Sequence, residues 1–246
     1  PTIPAAGAAG KGRVADAKQG ASARPVRDDR RGAAMEEGAF GGIVVVSCGT
    51  MRPELTHLKE EGFLNAQRLL FTAPGLHEWQ PKLREQLTER LKKARQVSDR
   101  VIVVYGKRCY LDPCDPSGDV DWLIEQAGGR IVRVRAANCV DMLASAEERE
   151  GIAAGARVYW LTPGWFLYWR AILRDYDRGK ANETFRGHDK AVLLDPLGLF
   201  DEVAQKEPER ILEFSDFLGI PVEPYPVTLE RLKRLLLDAA AALKEK

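Results

Sequence analysis

The chain is short of charge imbalance, of cysteine and of long apolar runs, and each shortage removes a class of function. Lys and Arg number 37 against 36 Asp and Glu, a formal net charge of +1, which argues against a whole-protein electrostatic grip on nucleic acid. Four cysteines in 246 residues are too few for a disulfide scaffold. No stretch approaches the ~18 consecutive apolar residues that a membrane span needs. The first residues contain no apolar core followed by a cleavage site, so no secretory signal is expected. The expected compartment is a reducing cytoplasm, where thiols are free, metal-bound or catalytic.

Compact motifs are missing as well. The sequence contains no G-x-x-x-x-G-K-[ST] phosphate loop, no G-x-G-x-x-G after the first strand, no H-E-x-x-H and no G-x-S-x-G. It has no C-x-x-C, which argues against a thioredoxin-type pair or a zinc ribbon. An Asp-x-His-x-x-Gly cobalamin pattern is absent too.

What remains is an alternation of strands and helices. Residues 1–42 are rich in Ala, Gly, Arg and Asp, with no aromatic before Phe40. They are expected to form a solvated extension, or an arm that orders on a small-molecule or protein partner. Met35 offers an alternative start.

From Ile43 the pattern changes. Apolar β-rich runs at Ile43–Ser47, Arg68–Thr72, Val101–Tyr105, Ile131–Val134, Arg157–Leu161 and Ala191–Leu194 read as strands, with a weaker seventh near Val222–Tyr225. Helical periodicity is expected after Pro53, over Pro81–Gln96, over Asp119–Ala127, just after Asn138, through Trp165 and Trp169, and from Thr228 to about Leu243. This alternation predicts one α/β domain over 43–246, a Rossmann-like, doubly wound and mostly parallel sheet of about five to seven strands.

Open parallel sheets bind ligands beyond the carboxyl ends of their strands. Cys48 ends the first strand, His77 follows the second, Cys109 and Cys114 follow the third, and Cys139 follows the fourth. All therefore fall on one edge. A strand order of 2-1-3-4 would bring their loops together, since neighbouring strands lie about 4.8 Å apart; an order of 3-2-1-4 would separate them. A thiolate-rich rim suits an iron–sulfur cluster or another soft metal. Cys48, Cys109 and Cys139 are the expected ligands, with Cys114 or His77 as a fourth. Arg52, Lys107 and Arg108 on the same rim are candidates to lower thiol pKa values or hold an anion. In TPGWFLYWR (Thr162–Arg170), Trp165 is a candidate wall of the crevice, and with Arg52 it is expected to contact a cofactor.

The ordered set Ser47-Cys48-Gly49-Thr50 with Glu54-Leu55, Leu76-His77, Tyr105-Gly106 with Cys109, Asn138-Cys139, and Leu161-Thr162-Pro163-Gly164-Trp165 resembles domain-of-unknown-function family 1638, over roughly Ile43 to Asp195. The resemblance implies an α/β fold with cysteines after successive strands, in some members linked to anaerobic or one-carbon methyl-transfer metabolism. This chain departs from the pattern in inserting Lys107-Arg108 before Cys109 and in carrying the extra thiol Cys114. Two rival functions stand beside metal binding. One is cofactor-independent acid/base catalysis by Cys48 and Cys139, as in racemase-like folds, although the racemase Cys-Asn-Thr and Gly-Cys-Thr-His motifs are absent. The other is a non-catalytic subunit whose N-terminal arm wraps a larger enzyme.

Overall fold

Seven short strands, β1 (Val44–Ser47), β2 (Arg68–Phe71), β3 (Arg100–Val104), β4 (Arg130–Arg133), β5 (Val158–Leu161), β6 (Lys190–Asp195) and β7 (Val222–Pro226), carry the β-branched runs of the sequence. Interleaved with them are α1 (Arg52–Glu60), α2 (Gln80–Arg95), α3 (Val120–Ala127), α4 (Ala146–Ala153), α5 (Pro163–Ile172), α6 (Arg178–Phe185), α7 (Leu199–Lys206), α8 (Pro208–Leu218) and α9 (Glu230–Glu245). The structure is a computed structural model and describes residues 38–115 and 117–245. The expectation for the N-terminal extension therefore lies, through residue 37, outside the described residues. Within its last five residues Phe40 is fully buried against Phe63, with ring centroids 5.6 Å apart.

Every strand pair is parallel, but the strands divide between two sheets rather than forming one. The first has the order β2-β1-β3-β4 and the second β5-β6-β7. In the first sheet β1 and β3 are central, and Val44, Val45, Val46 and Val101–Val104 are buried on both faces, as expected of a covered parallel sheet. One face packs Val44, Val46, Val101 and Val103 against Leu83, Leu87 and Leu91 of α2 and Leu123 of α3. The other packs Val45, Ile102 and Val104 against Leu55 and Leu58 of α1 and Leu232 and Leu236 of α9. Leu194 of β6 joins this second cluster, so one core runs under both sheets.

The second sheet has its own aromatic layer, in which Leu161 and Leu193 meet Trp165, Phe166 and Trp169 of α5 and Phe214 of α8. β7 is an edge strand, which lets it hold Pro224 and Pro226 without breaking a ladder on its outer side. Among the described residues no helix is long and apolar enough to cross a membrane.

The helix expected just after Asn138 is replaced by turns; α4 begins only at Ala146, where Ser145 and Glu148 form a reciprocal capping box. α9 begins at Glu230, two residues beyond Thr228. Asp119 does cap α3, accepting from the backbone N–H groups of Asp121 and Trp122 at 2.8 and 3.1 Å. Asp119→Ala should lower the unfolding free energy by about 1 kcal/mol in urea denaturation. An unchanged midpoint would show that the cap is dispensable.

Candidate functional site

The 2-1-3-4 order sets the carboxyl ends of β1, β3 and β4 side by side, and the loops that follow carry Cys48, Cys109 and Cys139. All three thiols line one small cavity of about 20 Å³, together with His77, Thr50 and Tyr105. Close backbone approach draws the loops together at Gly106, immediately after the third strand. A Cβ there would overlap the Ala137 carbonyl and the Asn138 Cα, so only glycine lets the loop of Cys109 lie against the loop of Cys139. The Lys107 N–H then donates to the Ala136 carbonyl at 3.1 Å and ties the two loops.

Cys48 has the most polar surroundings of the three. The Thr50 hydroxyl donates to its Sγ at 3.1 Å. The Tyr105 hydroxyl and the backbone N–H groups of Thr50 and Gly75 also favour a charged sulfur. Tyr105 is itself held by a short hydrogen bond to the Thr72 hydroxyl. Burial outweighs these donors and leaves the Cys48 pKa above the ordinary thiol value.

Burial also pushes the Cys109 thiol up to about 12, with repulsion from Cys48 adding to it. Cys139 is raised well above the usual range by burial first, then by Cys109, Cys48 and Glu54. The three sulfurs thus sense one another electrostatically, while each remains partly accessible. His77 is displaced downward by burial, partly offset by Glu78, so it is a neutral imidazole at pH 7. Among the described residues no three His, Cys, Asp or Glu side chains are grouped closely enough to form a ready-made metal site.

The other expected site residues separate clearly. Cys114 is exposed in a loop where its N–H donates to Asp112 Oδ1 at 2.9 Å, and it lines neither the thiol cavity nor the cleft beside it. Arg52 turns away, stacking over the Phe71 ring at 4.5 Å and lining a different cleft with His57 and Tyr168. The structure therefore does not bring Arg52 or Cys114 to the thiols. Trp165 is nearly buried and borders a second cleft that shares His77, Cys109 and Cys139 with the thiol cavity.

Sequence reasoning missed Glu54. It reads as an ordinary first-turn carboxylate of a helix, yet it is fully buried and neither carboxylate oxygen has a hydrogen-bond partner. Burial raises its pKa to about 8, with the Asp195 carboxylate of β6 adding to the shift. The Glu54 charge adds, after burial, Cys109 and Cys48, to the raised pKa of Cys139. Its place in the ordered set after Ser47-Cys48-Gly49-Thr50 was the one signal available.

A family model described as "Protein of unknown function (DUF1638)" matches residues 71–236. The chain belongs to this family. The family segment contains His77, Cys109, Cys139 and Trp165, and it extends past Asp195 into α9; Cys48 and Glu54 precede it. The chain has no match among curated proteins and none among solved structures.

Proposed function

We propose that the chain is a thiolate metal-binding α/β protein that holds an iron–sulfur cluster or another soft metal through Cys48, Cys109 and Cys139. His77, neutral and in the same cavity, either completes the set or leaves the fourth position to a substrate. The observation that carries this reading is the convergence of three thiols, whose deprotonated forms would repel one another, on one cavity whose lining among the described residues includes no Lys or Arg. A bound cation relieves that repulsion and stabilises the deprotonated sulfurs. Donors around Cys48 suit the same end, because hydrogen bonds to ligating sulfur tune a thiolate centre. A bound cluster or metal ion supplies electron transfer or Lewis acidity at an open coordination position. The chain's own part is to hold the sulfurs and, through Thr50 and Tyr105, to orient the sulfur of Cys48.

The rival acid/base reading needs a standing thiolate near pH 7, and burial holds all three thiols above their ordinary value. Ligation displaces thiol protons, so metal affinity is expected to rise with pH across the neutral range. Anaerobic purification with iron, zinc and sulfide analysis tests the proposal. Stoichiometric metal in the wild type, lost from Cys48→Ser, Cys109→Ser and Cys139→Ser but kept by Cys114→Ser, is the expected pattern. Metal-free wild-type protein, or retention of metal in all three serine variants, overturns it.

A further inference from the structure

Outside the thiol cavity lies a larger cleft of about 430 Å³, and the two share His77, Cys109 and Cys139. The outer cleft takes its far wall from the second sheet: Tyr159 and Trp160 of β5, and Trp165 at the start of α5. This wall is preorganised. The Trp165 N–H donates to the Thr162 hydroxyl that caps α5, at 3.3 Å. The Tyr159 ring is fixed by edge contacts to Trp165 at 5.6 Å, Phe185 at 4.7 Å and His188 at 5.3 Å. Flat aromatic surfaces with few rotatable bonds favour a planar, apolar-bodied occupant at low entropic cost. The volume is that of a small-molecule pocket.

Among the described residues one Lys or Arg side chain borders this cleft. Of the three basic residues on the rim, Arg52 is stacked on Phe71 and Lys107 is paired with Asp119 at 3.4 Å. Arg108 lines the cleft, and among the described residues it has no ion pair or hydrogen bond. Among the described residues no Asp or Glu lines the cleft, and Glu78, which bears on Tyr159, lies 3.4 Å from the His77 ring. A planar guanidinium facing an acid-free aromatic pocket matches a carboxylate in geometry as well as charge.

We propose that the outer cleft binds a small planar carboxylate, with its body on the Tyr159–Trp165 wall and its anionic group on Arg108. The assignment of this ligand as a substrate presented to the thiols rests on the metal-binding reading above; the binding itself does not.

Benzoate, benzamide and acetate serve as probes, titrated by calorimetry and tryptophan fluorescence into the full chain, reduced and metal-free. Saturable benzoate binding is expected, with benzamide and acetate each weaker by roughly tenfold or more. Arg108→Ala should lose about the same factor, while Arg108→Lys recovers part of it and Lys107→Ala binds like the wild type. Binding should persist in the Cys114→Ser variant, whose thiol lines neither cavity. A chain that binds benzoate but no metal therefore sinks the metal reading and leaves the cleft assignment standing. No saturable benzoate binding, equal affinity for benzamide, or unchanged affinity in Arg108→Ala overturns the proposal.

Discussion

Glu54→Gln is expected to make the protein more stable at pH 8 than the wild type and to remove much of the loss of stability between pH 5 and pH 8. The folded chain holds the Glu54 proton up to about pH 8, whereas the ordinary carboxyl value is 4.5. Folding in that interval therefore takes up a proton. The stabilisation is fully present below the ordinary value and disappears as pH rises toward the folded one, by about 1.4 kcal/mol per pH unit. Across the interval the wild type loses on the order of 4 kcal/mol that the glutamine variant keeps. The other titrating groups are common to both proteins and cancel to first order in the difference. Urea denaturation of the pair at pH 5, 6.5 and 8 measures it. Parallel stability curves would show that Glu54 finds a charge partner in the folded protein. A buried carboxyl whose two oxygens have no hydrogen-bond partner among the described residues is costly for stability. Such costs concentrate at functional sites.

Gly164→Ala should destabilise the protein by about 3 kcal/mol or more, against the normal sign for a helical glycine. Gly164 lies in α5, where alanine ordinarily gains up to about 1 kcal/mol. Here a Cβ would overlap the carbonyl group and Cα of Thr50, backbone that cannot move aside as a side chain could. The same contact presses the aromatic start of α5 onto the turn that follows Cys48, so under the proposed metal-binding reading the variant should also weaken metal retention. Gly151→Ala in α4 is the control, because no atom lies within 4 Å of its would-be Cβ; it should gain roughly 0.5–1 kcal/mol. Thermal or urea denaturation of the two variants separates the effects. A Gly164→Ala protein as stable as the wild type would show that α5 and the Thr50 turn are not locked together.

Local pattern carried most of the architecture. All seven strands lie within a residue or two of the runs that marked them, and for the central β1 and β3 the reason is that parallel strands buried on both faces need unbroken β-branched sequence. Four helices escaped that reading, among them α4, which buries none of its residues. α6 buries only Ala181 and Phe185, and α7 only Val203, so their apolar stripes are too thin to show a period. α8 buries only Phe214 and Leu218 and starts at Pro208, directly after α7. The division into two sheets was equally hidden, since strand sequence says how a strand is covered and not which neighbour it joins.

The sequence by itself determined the fold class, the parallel strands and the placement of Cys48, His77, Cys109 and Cys139 beyond strand ends, all of which depend on local spacing. Only the tertiary structure decided that β1, β3 and β4 are neighbours, that Cys109 rather than Cys114 lines the cavity with Cys48 and Cys139, and that Arg108 rather than Arg52 borders the outer cleft. It also decided that Glu54 is buried without a partner. Those facts depend on which backbones meet, as at Gly106 with Ala137 and Gly164 with Thr50, and contacts between residues so distant in the chain leave no periodic trace in it.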